Sequence, residues 1–166
     1  VILQGKNVLY ITLEMAEERI AERIDANLLD VTIDELYKLP KKFYDDKIKK
    51  LQNRAQGQLI IKEYPTASAH AGHFKSLLDE LSLKKSFKPD IVFIDYLNIC
   101  SSSRFKGGNI SSYFYIKAIA EELRGLAVRY DVPIVSATQT TRTGYMSSDV
   151  GLEDTSESFG LPATAD

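Results

Sequence analysis

Asp90-Ile91-Val92-Phe93-Ile94-Asp95-Tyr96 is the stretch that decides the architecture. Four consecutive apolar residues, of which Ile91, Val92 and Ile94 are β-branched, end abruptly in an acid. An uninterrupted apolar run of this kind, without polar alternation, predicts a strand buried on both faces of a parallel sheet. Two further runs share its form. Val8-Leu9-Tyr10-Ile11-Thr12-Leu13 leads into Glu14, and Pro133-Ile134-Val135-Ser136-Ala137-Thr138 leads into Gln139. As parallel neighbours, these strands would bring Glu14, Asp95 and Gln139 to one edge of the sheet. Open α/β sheets bind ligands beyond the carboxyl ends of their strands. One polar residue leaving a strand is ordinary; three that converge point to a site.

Between the strands the apolar spacing lengthens to that of helices. Ile20, Ile24 and Leu28 recur every four residues among Glu17, Glu18, Arg19, Glu22 and Arg23, the pattern of an amphipathic helix. Thr32-Ile33-Asp34-Glu35 has capping-box spacing and opens a short helix that Pro40 stops. Residues 41–56 read as helix with Phe43, Ile48 and Leu51 inward, a lysine-rich outer face and Gly57 as the stop. Leu59–Tyr64 reads as another strand, ended by Pro65. Phe74, Leu77, Leu78 and Leu81 mark the next helix, and a long stripe from Ile116 to Tyr130 marks the last. Strands alternating with helices imply a parallel sheet covered on both faces.

The 166 residues suit one domain with a real core, and 44% hydrophobic with 27% charged content is ordinary for a globular protein. No apolar run is long enough to span a membrane, and no signal-like segment opens the chain. The chain starts without Met, which marks it as a piece of something longer. The single Cys100 excludes an internal disulfide framework and fits a reducing compartment. It reads as a small packed residue, and His70 and His73 read as polar residues at a helix start. A net charge of −2 confines any nucleic-acid contact to a small patch or to surfaces shared between subunits.

An acid at the end of such a strand holds Mg²⁺ in nucleotide-hydrolysing folds. The sequence has no Gly-x-x-x-x-Gly-Lys-Ser/Thr loop to face it. The first strand starts close to Val1, so a strand, phosphate loop and helix are expected immediately upstream.

Four motifs now stand in order: Ile11-Thr12-Leu13-Glu14-Met15, Phe93-Ile94-Asp95-Tyr96-Leu97, Ser136-Ala137-Thr138-Gln139-Thr140-Thr141-Arg142, and Asp154-Thr155-Ser156-Glu157-Ser158-Phe159-Gly160 with Ala165-Asp166. In order and spacing they resemble the motor domain of DnaB-type hexameric replicative helicases, most closely those of T-even-type bacteriophages. The resemblance covers nearly the whole chain. It implies a three-layer αβα RecA-like fold with a mostly parallel sheet, incomplete because the phosphate-loop unit is missing, and it makes residues 1–166 a partial RecA-like ATPase domain.

The resemblance also implies roles. Glu14 matches the catalytic glutamate that orients or deprotonates the attacking water. Asp95 matches the acid that holds Mg²⁺ with ATP. Gln139 matches the residue that senses the γ-phosphate. Residues 101–112 and 140–160 match loops facing the central channel of a hexamer, with Arg104, Lys106, Arg142, Ser156 and Glu157 as candidates for holding single-stranded DNA. Where many relatives carry Arg-Glu-Ser-Gly, this chain has Ser156-Glu157-Ser158-Phe159 and lacks that Arg. The basic finger supplied by a neighbouring subunit would lie beyond Asp166. Implied partners are single-stranded DNA, further copies of the chain in a ring, a primase and a helicase loader, in the cytoplasm of a bacterial host.

The fragment alone is expected to be catalytically inactive and monomeric or weakly dimeric. Two other readings share the sheet: a RecA-like recombinase, and a non-catalytic interaction module. The Thr12–Met15 motif and the long helix before Val135 favour the helicase reading over the first. Retention of Glu14, Asp95 and Gln139 together speaks against the second.

Overall fold

The computed structural model describes residues 1–54, 56–105, 110–140, 151, 155 and 161–165. After a 3₁₀ turn at Ile2–Gln4 the elements run β1 (Val8–Thr12), α1 (Glu17–Leu29), α2 (Ile33–Lys38), α3 (Lys41–Arg54), β2 (Leu59–Glu63), α4 (Ala71–Lys85), β3 (Ile91–Asp95), a 3₁₀ turn at Leu97–Ile99, α5 (Ser112–Tyr130) and β4 (Ile134–Ser136). The four strands form one parallel sheet in the order β2-β1-β3-β4. An isolated antiparallel bridge joins Thr140 to Thr155.

Register sorts the side chains into two faces. Leu9 lies opposite Val92 and Ile11 opposite Ile94. All four are buried with Phe74, Leu77, Leu78 and Leu81 of α4 and Ile116, Ile119, Leu123 and Leu126 of α5 in one hydrophobic core. Val8, Tyr10 and Thr12, opposite Ile91, Phe93 and Asp95, face the other way. There α1 lies along the sheet, and Ile20, Ile24 and Leu28 line an apolar groove of about 480 Å³ with Val8, Tyr10 and Phe93. Asp95 also lines this groove.

The local signals act as expected at several ends. Thr32 and Glu35 close the capping box of α2: the Thr32 hydroxyl accepts from the Glu35 amide at 3.2 Å, and the Glu35 carboxylate accepts from the Thr32 amide at 2.8 Å. His70 caps α4, its Nδ1 accepting from the Gly72 amide at 3.0 Å, while the His73 ring accepts from the His70 amide. Both histidines are thus helix-start residues. Cys100 is buried, and burial pushes its thiol up to about 12.

Two details differ from the sequence reading. Phe43 is exposed, not inward. Among the described side chains of α3, Tyr44, Asp45, Ile48 and Leu51 are partly buried, and the Tyr44 hydroxyl donates to Asp25 of α1. Ile48 and Leu51 face inward as expected, and Tyr44 with its anchor to Asp25 takes the place that hydrophobicity alone gives to Phe43. Gly57 lies three residues beyond α3 and does not end it directly. A Cβ there would sit 2.2 Å from the Lys6 carbonyl oxygen, so this position needs glycine for a close crossing of two backbones.

Candidate functional site at the carboxyl edge of the sheet

Parallel pairing places Thr12, Asp95 and Glu63 side by side as the last residues of β1, β3 and β2. The Leu13 amide continues the ladder to the Asp95 carbonyl at 2.9 Å. Thr12 is fully buried, and its hydroxyl both donates to the Met15 carbonyl at 2.9 Å and accepts from the Met15 amide at 3.1 Å. That closed turn carries Glu14, whose side chain is exposed. Thr66 adds a strap from the loop after β2, donating its hydroxyl to the Leu13 carbonyl at 2.6 Å.

Asp95 sits half-buried at the end of β3. Its Oδ2 accepts from the Tyr10 hydroxyl at 2.8 Å. Burial and the Asp95 carboxylate together push the Tyr10 hydroxyl up to about 12, so it remains a proton donor at neutral pH. The Asp95–Tyr96 peptide is cis. Gln139 lies three residues past β4, exposed, and its amide donates to the Tyr96 hydroxyl at 2.9 Å. Leu97 and Thr138 tie the two segments again, the Leu97 amide to the Ala137 carbonyl at 3.2 Å and the Thr138 hydroxyl to Asn98 Oδ1 at 2.8 Å. Asp95 ends β3, while Glu14 follows β1 by two residues and Gln139 follows β4 by three, so all three stand at the carboxyl edge of the sheet.

Among the described residues no group of three or more His, Cys, Asp or Glu side chains is placed to cage a metal ion. A single carboxylate with one oxygen engaged by Tyr10 fits Mg²⁺ only in the way that ion is held with nucleotides, by one or two carboxylates, water and the phosphates. The groove that ends at Asp95 is mostly apolar, with only Tyr10, Arg23, Asn27 and Asp95 polar. It offers no cradle of amides for phosphates.

Of the nucleic-acid candidates, only Arg104 lies among the described residues. Its guanidinium pairs with Glu121 of α5, and its Nε lies 4.0 Å from Glu122. Lys106, Arg142, Ser156 and Glu157 lie outside the described residues. Sequence reasoning missed Tyr10, Tyr96 and Glu122. Tyr10 had a signal: a hydroxyl inside an otherwise aliphatic strand must find a partner when it is buried. Glu122, inside the apolar stripe of α5, had the same kind of signal.

The family model for the DnaB-like helicase C-terminal domain matches residues 1–151. The chain is 49% identical over 165 residues to the DnaB-like replicative helicase of Enterobacteria phage T4, covering 98% of this chain and 35% of that protein. It thus spans about a third of that relative's length. Two solved structures share the fold at 20% identity: a DnaB-like replicative helicase studied with its interactions with primase (TM-score 0.74, 98% of this chain, 39% of that one), and the ATPase domain of G40P (TM-score 0.75, 98% and 58%).

Proposed function

Because the chain belongs to the family of DnaB-like helicase C-terminal domains, we propose that it carries the water-activating, metal-holding and sensing edge of an ATP-driven replicative DNA helicase. The observation that supports the reading is that Glu14, Asp95 and Gln139 stand at or just past the carboxyl ends of three adjacent parallel strands, with Asp95 hydrogen-bonded to Tyr10 and Gln139 to Tyr96. Phosphoryl transfer asks little covalent chemistry of a protein; it asks for positioning and charge neutralisation.

When bound, ATP with Mg²⁺ supplies the phosphoanhydride that is cleaved. Asp95 holds the metal, with Tyr10 fixing the carboxylate's orientation. Glu14, on its Thr12-closed turn, orients the attacking water and takes its proton. Gln139 reads the γ-phosphate, and its contact with Tyr96 couples that reading to the residue next to Asp95. Residues 101–112 and 140–160 face single-stranded DNA, with Arg104, Lys106, Arg142, Ser156 and Glu157 as contacts. The full-length protein forms a hexameric ring in a bacterial host's cytoplasm and works with a primase and a loader. No helix among the described residues is long and apolar enough to cross a membrane.

The test uses the full-length helicase. Glu14→Gln should retain nucleotide binding while ATP turnover falls by about 10²–10⁴-fold, the usual share of a general base. Asp95→Asn should abolish Mg²⁺-dependent turnover. Unchanged turnover in Glu14→Gln would remove the water-activating role.

A further inference from the structure

The stretch after Cys100 is rich in Ser, Gly and Asn and has few apolar side chains with which to anchor itself. Its root is nevertheless fastened on two sides. On one side the Ser101 amide donates to the Ala69 carbonyl at 2.8 Å, and its hydroxyl to the Ala67 carbonyl at 2.7 Å. On the other side stands Glu122, in the middle of α5. Its carboxylate accepts from the Ser102 hydroxyl at 2.6 Å, from the Ser103 amide at 3.0 and 3.1 Å, and from the Ser103 hydroxyl at 2.8 Å. The Ser102 amide donates to the Tyr115 hydroxyl at 3.1 Å. Arg104 completes the brace through its pairing with Glu121 and its approach to Glu122.

Glu122 exposes only 7% of its side chain. Burial pushes its carboxyl up, but the donors from Ser102, Ser103 and the Arg104 backbone outweigh that and hold it below the usual carboxylate range. A buried acid is a costly way to stabilise a helix, since an apolar residue of similar size packs at least as well. Each of these hydrogen bonds to the carboxylate comes from the loop root, none from its own helix. Its effect is therefore to set the direction in which the chain leaves Arg104.

We propose that Glu122 is the positioning residue of the nucleic-acid loop: it fixes the root of that loop, Ser102–Arg104, and single-strand binding depends on that fixed root. This rests on the reading that residues 101–112 face single-stranded DNA. Arg104 takes part in this brace through Glu121 and Glu122.

The experiment measures binding of a fluorescent oligothymidylate to the assembled full-length helicase over a range of salt. Glu122→Gln, nearly isosteric, should weaken binding by about tenfold, as expected for loss of a charged hydrogen-bond acceptor. The slope of log affinity against log salt should become shallower by about 0.7 for each phosphate that the loop no longer neutralises. Loss of global stability alone does not move that slope. ATP hydrolysis without DNA should be unchanged. Ser103→Ala, which leaves α5 intact, should act in the same direction, and the double variant should be no weaker than Glu122→Gln alone. Wild-type affinity and slope in both single variants would overturn the proposal. If Lys106→Ala still weakens binding in that case, only the brace fails; if Lys106→Ala also binds as wild type, the reading of the loop as DNA-facing fails with it.

Discussion

Tyr10 and Asp95 are two residues apart on the same face of neighbouring strands, and their 2.8 Å hydrogen bond decides how the acid is presented. The Tyr10 hydroxyl is pushed up to about 12 from an ordinary 10.0 by burial first and by Asp95 second. A raised folded-state value favours the protonated native form. That contribution is complete below pH 10 and is lost as pH rises to about 12. Tyr44 and Tyr130, also raised to about 12, titrate in the same window. Tyr10→Phe should therefore make stability fall less steeply with pH between these limits, measured by urea unfolding across the alkaline range. An unaltered slope would mean that burial and Asp95 together do not raise Tyr10. At this scale the sequence showed the acids and the amide but not their partners. A carboxylate at a strand end is visible as a residue type after an apolar run; the tyrosine that orients it is visible only through register, which depends on which strands are neighbours.

Elements were read well where one local rule governs them. The α2 helix begins where Thr32 and Glu35 reciprocate. The Thr32 backbone donor and hydroxyl hold the Glu35 carboxyl below its usual range. Thr32→Ala should cost about 1 kcal/mol, seen as a lower urea midpoint with an unchanged slope. An equal midpoint would show that α2 is held by packing of Leu36 alone. Where two rules compete, reading failed. The apolar pattern of α3 places Phe43 inward with Ile48 and Leu51, but Tyr44, hydrogen-bonded to Asp25, is the residue partly buried there and Phe43 is exposed. Gly57 looked like a helix stop because that is the commonest use of glycine there; the crossing with Lys6 joins segments about fifty residues apart along the chain. The 3₁₀ turn at Leu97–Ile99 is tied by hydrogen bonds to Ala137 and Thr138, just past β4.

The whole molecule joins a well-built edge to an unfinished face. Helices α4 and α5 bury one side of the sheet, while the other retains an apolar groove of about 480 Å³ beside Asp95. Among the described residues β4 pairs with β3 only, and Val135 on it is 46% exposed. The sequence contains no phosphate-binding glycine loop. The 166-residue polypeptide should accordingly show no ATP turnover above background in a phosphate-release assay, since its sequence lacks the glycine loop that cradles β- and γ-phosphates. Robust turnover that disappears in Asp95→Asn would refute this. The fold was legible because apolar runs and helical stripes alternate along the chain. The candidate site was legible in part, because its acids and amide leave strands at recognisable points, whereas the loop root built on Glu122 depends on a helix that lies some twenty residues further along.

The alignment of Thr12 with Asp95 acts as a ruler for the chemistry. Side chains on a strand alternate sides, so sliding β3 by one step would turn the carboxylate inward against α4 and α5 and send Ile94 out into the groove. Sliding it by two would restore the side but overshoot the rim by about 6.6 Å. Insertions within this short segment are thus graded by parity as well as by size: an odd number inverts the acid's world, and an even number leaves it facing correctly but out of reach.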